Sequence, residues 1–431
     1  MKPPIMLALI VALAPVMASG QTAPTYIIDP HPTGRQAGRD VDISYVKVAG
    51  FFTSRTMPSV VHGMSRGLYL YTSPSDKLSG PWVKSTIDPV GEFYEQAAAF
   101  LKPGDTYPGI VASRSRQMDG PYQLVLYSNP LNKGGNPGQP WPMEIINPEA
   151  GCHELRVGDL DQDGLLDVVC SATRAGGTLS SIAFQNASGP WKVVDDPFRL
   201  RGLIASVGES IGLISITGAP RINVVAATDE GVYWFKIPKF TGGNPRTDPW
   251  PGYRVGGANR GVAIGTGVFN RSRDSIVAAS NEEIPEAWKS GLVWYEPPPD
   301  PTQAWVGHSV DPTYRSVHQI NTGHVNGRPY FIVGEQEQTC GTPLAVAEHP
   351  SLPCRVTMFQ FEEGSFVPFS LSEQGTHNQS AIEYNGGVLV VGANHAIYGT
   401  PNRALQAWFI DKATLAAWSR QLANRPSGGG H

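Results

Sequence analysis

The sequence predicts an all-β fold, a seven-bladed β-propeller, and three observations carry that expectation. A β-branched run ending in small residues recurs seven times, at 58–63, 107–114, 166–173, 222–229, 274–281, 330–337 and 387–394. Each is followed by a run with alternating, aromatic-rich character, such as GLYLYT (67–72), GVYWFKI (231–237) and GLVWYEP (291–297). All but the last of these lead to an outer run of the WVKSTIDP kind (82–89), again at 142–148, 191–197, 252–257, 305–312 and 365–371. Period-two patterning marks half-buried strands, and a repeat of several short strands at a spacing of about 50 residues marks a propeller. A solenoid would need polar capping repeats at both ends, and the sequence shows none.

The elements follow in chain order. Residues 1–20 read as an export signal: Lys2, an apolar stretch from Ile5 to Met17, and a small-residue cleavage site at Ala18-Ser19-Gly20. Residues 21–431 read as one propeller domain. YIIDPHP, beginning at Tyr26, has the character of an outer strand, and the seventh unit ends at 404–410 without one. The expected consequence is ring closure, with 26–29 pairing onto 404–410, which removes an exposed sheet edge and ties down a terminus. Each unit opens with a first strand, at 41–46, 96–100, 154–160, 204–209, 262–268, 319–325 and 379–385. The Leu, Ala and Trp spacing of 412–424 predicts a short terminal helix outside the ring.

Composition narrows the function classes. Hydrophobic content is 41%, charged content only 16%, and the formal net charge is −4, so the chain is globular and lacks the basic excess of a nucleic-acid binder. Beyond the signal no run is long and apolar enough to span a membrane. The mature protein is expected to be secreted, soluble and monomeric. Four cysteines in an exported chain favour disulfides, and spacing favours Cys152–Cys170 and Cys340–Cys354. Asn186, Asn270 and Asn378 open glycosylation sequons.

Two sets of residues could carry chemistry. Asp159, Asp161, Asp163 and Asp167 alternate through DLDQDGLLD in the turn between the first and second strands of the third unit, where carboxylates converge on a hard cation such as Ca²⁺ or cap a solvated turn. The second set lies where propellers place their sites, in loops entering first strands and leaving second strands. Tyr94-Glu95, His153, Arg260, His318 and His377 fall at entries, and His62, Arg114 with Arg116, Arg174, Asp229, Asn281–Glu283 and Glu335 fall at exits. Arginine grips carboxylates bidentately, and histidine is the natural base near neutral pH. These are the parts a β-elimination at a uronic acid needs: the carboxylate is neutralised and a base removes the C5 proton. His62 is the expected base, with Arg114, Arg116, Arg174, Arg260, His153, His318 and His377 as substrate contacts. Glu95, His153, His318 and His377 could instead hold a second metal near the channel axis.

The repeat and GDLDQDGLLDVV (158–169) resemble secreted VCBS/FG-GAP propellers over nearly the whole mature chain. The full motif stands only in the third unit. The chain also resembles the propeller-fold polysaccharide lyases, especially the fungal rhamnose–glucuronate lyases. That resemblance implies an anterior cleft with a catalytic histidine, matched by His62, and arginines holding glucuronate, matched by Arg114 and Arg174. Asp229 and Asn281–Glu283 depart from the basic or amide groups expected there. The expected function is therefore a carbon–oxygen lyase acting on an acidic polysaccharide. The alternative is a lectin-like propeller, against which stands the variation of rim residues from unit to unit.

Overall fold

The computed structural model describes residues 23–423 apart from 31–34, 37–38, 41–46, 65–66, 76–77, 92, 116–120, 150, 172–179, 206, 217–222, 229, 258–261, 270–273, 281–290, 315–316, 336–353, 363 and 394–403. The export signal, Arg116, Arg174, Arg260, Asp229, Asn281–Glu283, Cys340 and the first-strand expectation at 41–46 lie outside the described residues.

The chain is an all-β propeller with one short C-terminal helix. Six of its sheets have four strands and another has six, beside a separate two-stranded hairpin at Arg35–Gln36 and Arg39–Asp40. The first strands are Lys47–Gly50, Phe93–Phe100, Leu155–Gly158, Val207–Ile214, Val262–Gly267, Val317–Val325 and Asn378–Tyr384. They touch one another in that order around a closed circuit, the last against the first, and so line a central channel. We number the sheets as blades one to seven in the same order. Blade four's first strand begins at Val207, later than the hydrophobic pattern placed it.

Ring closure is formed as the sequence suggests. Thr25–Asp29 lies antiparallel to Leu405–Ile410, with Tyr26 opposite Ala407 and Ile27 opposite Gln406. Ile28 is buried with Val60, Tyr71, Leu389 and Leu405, so the closing strand joins a core shared by blades seven and one. Similar clusters fill the spaces between other neighbouring blades, which is where stacked sheets hide their apolar faces.

Blade four carries two strands that periodicity did not reveal, Phe198–Leu200 and Leu203–Ile204. Phe198 pairs in parallel register with Trp250, and both rings are fully buried. The cap of the terminal helix, Lys412–Ala423, is Asp411, whose carboxylate accepts the Thr414 N–H at 2.7 Å and is held below its usual range chiefly by that bond. Leu415 and Trp418 of the helix are buried, with Trp418 edge-on to Phe369 of blade six. Cys152 and Cys170 form a disulfide that ties the approach to blade three's first strand to the end of its second. Cys354 is also disulfide-bonded, with a partner outside the described residues. No helix among the described residues is long and apolar enough to cross a membrane.

Candidate functional site at the channel mouth

The mouth of the channel is built where first strands begin, and strand irregularities aim its side chains. In blade two the pairing with the second strand slips between Tyr94 and Gln96, leaving Glu95 as the extra residue of a β-bulge. In blade six the register slips between Val317 and Ile320, across His318 and Gln319. A bulge re-aims a side chain that regular alternation would send into the sheet. His153 and His377 stand just before the first strands of blades three and seven.

These residues meet as a row. His153 Nε2 lies 3.6 Å from Glu95 Oε1. The His153 and His318 rings are 5.4 Å apart, and those of His318 and His377 are 4.4 Å apart. The Tyr122 hydroxyl donates to Glu95 Oε2 at 3.4 Å. His318 Nδ1 lies 2.5 Å from Asn378 Oδ1. With an amide oxygen as acceptor, Nδ1 carries the proton and Nε2 carries the basic lone pair. His153 and His318 are partly exposed, whereas His377 is buried behind them. Burial first, then the positive charges of Lys47 and His153, hold the His377 imidazole well below its ordinary range, so it is neutral at physiological pH. Lys47, at the start of blade one, is itself buried.

The depressed basicity of His377 has a consequence for stability. Its neutral form belongs to the fold, so the contribution is complete above the ordinary histidine value of about 6.5 and is lost as pH falls below it. The melting temperature is expected to decline as pH falls below about 6.5. His377→Asn should flatten that decline, and a variant with the parent's slope would refute the assignment.

The structure gives three sequence-predicted residues unexpected surroundings. Arg114 is buried inside blade two, and its Nε donates to Asp88 Oδ2 at 2.7 Å. The hydroxyls of Tyr94 and Tyr127 donate to the same oxygen at 2.7 and 2.6 Å. The guanidinium is therefore engaged by the protein's own carboxylate. His62 is fully buried in blade one's second strand, opposite Lys47 and Tyr69, with its ring 6.5 Å from that of Tyr71. Glu335 is buried in a fork with Arg355, which stacks on Tyr314. Lys47 and Asp88 are residues that sequence reasoning missed.

Among the described residues, one group brings metal-type ligand atoms within 4.8 Å of one another: Asp159, Asp161 and Asp167 of the blade-three turn. Glu95 and the three imidazoles do not form such a group. Asp159 accepts the Asp163 and Gly164 N–H groups, both at 3.0 Å, and Asp167 accepts those of Leu160 and Gln185. Arg246, from blade four, places Nε 2.5 Å from Asp161 Oδ2 and its terminal NH2 nitrogen 2.8 Å from Asp163 Oδ2. The other Asp161 oxygen, Oδ1, is buried without a hydrogen-bond partner. Burial, with the nearby Asp161 and Asp163 carboxylates adding to it, pushes the Asp167 carboxyl up to about 7. An orphaned oxygen and crowded carboxylates fit a hard cation held by Asp159, Asp161 and Asp167, with Asp163 given over to Arg246.

No family model matches the chain, and no curated protein matches it in sequence. Solved structures do match in shape. A chain from a humanized mutant of the Chaetomium thermophilum Polycomb Repressive Complex 2, bound to the inhibitor GSK126, superposes with a TM-score of 0.50 at 10% identity, covering 91% of this chain and 98% of that one. The WD40 domain of Toxoplasma gondii coronin gives 0.44 at 10% identity over 90% and 88% of the two chains. Trypanosoma rangeli sialidase, in complex with 2,3-difluorosialic acid, gives 0.43 at 10% identity over 95% and 65%. At 10% identity the first of these likenesses speaks to fold alone.

Proposed function

We propose that this chain is an exported polysaccharide lyase that cleaves beside a uronic acid by β-elimination, with its reaction centre in the imidazole row at the channel mouth. The observation that carries this reading is the pairing of His318, whose Nδ1 is fixed on Asn378, with the neutral His377 behind it. A base must come within hydrogen-bond reach of the proton it removes. His318 meets that demand at the mouth better than the fully buried His62. In the reaction His318 Nε2 takes the C5 proton, the C4–C5 double bond forms and the C4–O bond breaks. The leaving oxygen receives a proton from His153, whose Nε2 lies 3.6 Å from Glu95 Oε1. The uronate itself is assigned on the resemblance to glucuronate lyases and on the acid–base chemistry of the row.

The product decides the matter. Incubation with gum arabic and other uronate-bearing glycans is expected to generate the ultraviolet absorbance of a conjugated unsaturated uronate. A saturated reducing sugar would mean hydrolysis, and sugar binding without any product would mean a lectin.

The same proposal includes one structural Ca²⁺ held by Asp159, Asp161 and Asp167. Sites of this extracellular kind can be weak, with Kd on the order of 10⁻⁴–10⁻³ M. Chelation is expected to lower the melting temperature of the parent and to leave that of Asp161→Asn where it was. An equal response in both proteins would remove the ion from the assignment.

A further inference from the structure

Below the imidazole row lies a cavity of about 330 Å³ inside the channel, walled by the first strands of blades three to six. Its lining includes Arg156, Leu213, Ile264, Thr266, Ile320 and Asn321. The room exists because the strands carry glycine where they crowd. At Gly265 a Cβ atom would lie 2.5 Å from the Ile320 Cγ2 atom. The volume sits at the lower end of small-ligand sites, enough for one ring rather than an oligomer.

The cavity's polar groups are fixed in advance. Arg156 NH2 pairs with Glu154 Oε1, and its NH1 donates to the Leu155 carbonyl. Glu154 is in turn buried and immobilised, because its Oε2 accepts the Ser210 hydroxyl at 2.6 Å and the Ile211 N–H at 2.9 Å. A guanidinium has five N–H donors, so these contacts leave Arg156 with donors to spare. The Arg156 side chain is 28% exposed. Arg156 is among the residues that line the cavity. Asn321 Nδ2 donates to the Gln379 carbonyl, which leaves its amide oxygen as an acceptor. The Thr266 and Thr322 hydroxyls donate to the Leu213 and Thr266 carbonyls, which keeps both acceptor-rich toward sugar hydroxyls.

We propose that this cavity is the subsite for a single uronate ring, with Arg156 receiving its carboxylate and Asn321 its hydroxyls. A planar donor fork beside a hydroxyl acceptor and an aliphatic wall is the complement of a sugar acid. The placement deepens the lyase reading and rests on it only for the direction of the ring. His318 precedes the lining residue Ile320 by two positions on the same strand, so the proposal sets the ring's C5 proton on the side of the imidazole row. Arg156, paired with Glu154 but still partly exposed, thereby takes the role that Arg114, buried against Asp88, does not fill.

The test is binding without turnover, by calorimetry with methyl glucuronide and methyl glucoside, neither of which offers a bond for elimination. The parent is expected to bind the glucuronide at least about tenfold more tightly than the glucoside, since a site built to bond a group rejects the analogue lacking it. Arg156→Gln should abolish the preference. Arg156→Lys keeps the charge against Glu154 and hence the fold, but loses the planar fork, and should cost about tenfold in glucuronide affinity. Equal affinity for the two sugars, no glucuronide binding at millimolar concentration, or a preference unchanged in Arg156→Lys would each overturn the assignment. Binding with no lyase product on polymers would sink the lyase reading and leave this subsite standing, whereas product formation without the preference would do the reverse.

Discussion

Replacing His318 by alanine is expected to lower turnover of a uronate glycan by about 10²–10⁴-fold, the usual cost of losing a general base. Binding of methyl glucuronide should change little, because the carboxylate contact is placed one layer deeper, on Arg156. The pH profile separates this role from a structural one. If His318 is the base, activity rises with pH as its imidazole loses the proton, and the rising limb disappears in the residual activity of the variant. Asn378→Ala should act through the tautomer. It removes the acceptor that lies 2.5 Å from His318 Nδ1, so it should reduce turnover with little effect on affinity. His62→Ala offers the contrasting measurement. A larger loss of turnover there than in His318→Ala, at equal folded fraction, would return the base to blade one.

The plan of this molecule is legible in its sequence where the signal is local. Strand alternation, the missing outer run of the last unit and the Ile-Asp-Pro echo at its N-terminus are all short-range patterns, and they locate the ring and its closing strand. The positions of His153, His318 and His377 at strand entries put them on one face, and the structure sets their rings side by side. What escaped is long-range or irregular. The bulges that aim Glu95 and His318 break the alternation from which strands are read. The partner that engages Arg114 is 26 residues away, at the end of another blade's outer strand, and Arg246 reaches Asp161 from 85 residues away. A hydrogen-bond partner at that distance has no periodicity to betray it. The blade-four extension escaped for a different reason. Strands of three and two residues are too short to show alternation.

The Asp that recurs in outer runs such as WVKSTIDP and YIIDPHP has a physical role at three points of the ring. Asp29, in the closing strand of blade seven, accepts the Tyr71 hydroxyl of blade one at 2.7 Å and the Lys84 ammonium at 3.4 Å. Asp88, at the end of blade one, accepts Tyr94, Tyr127 and Arg114 of blade two. Asp311, at the end of blade five, lies 3.6 Å from Arg355 of blade six. In each case the carboxylate crosses from one blade to the next. The repeat is thus a latch as well as a strand signature, and the first of these latches closes the ring.

Asp88 is the most deeply engaged of the three, and its loss should be the most damaging single change outside the site. The tyrosine and backbone hydrogen bonds, with Arg114 adding charge, outweigh burial and hold its carboxyl below the usual carboxylate range. Asp88→Ala leaves the Arg114 guanidinium and two tyrosine hydroxyls buried without their acceptor. Breaking a buried pair on one side typically costs about 3–5 kcal/mol. A drop of that size in denaturant unfolding is the expected result, with the slope of the transition unchanged. The loss should also appear in the parent as acid sensitivity. A carboxylate with a depressed folded value stabilises the fold above its unfolded value of about 4, and that contribution disappears as pH falls through the folded one. Asp88→Asn retains one carbonyl acceptor and should fall between the parent and the alanine variant. Pairing Asp88→Ala with Arg114→Met should recover part of the loss, because the stranded charge is gone. The network also sets the channel mouth, since Tyr94 is the residue before Glu95. The alanine variant should therefore lose more activity than its folded fraction explains. An Asp88→Ala protein within about 1 kcal/mol of the parent would show that the latch does not hold blades one and two together.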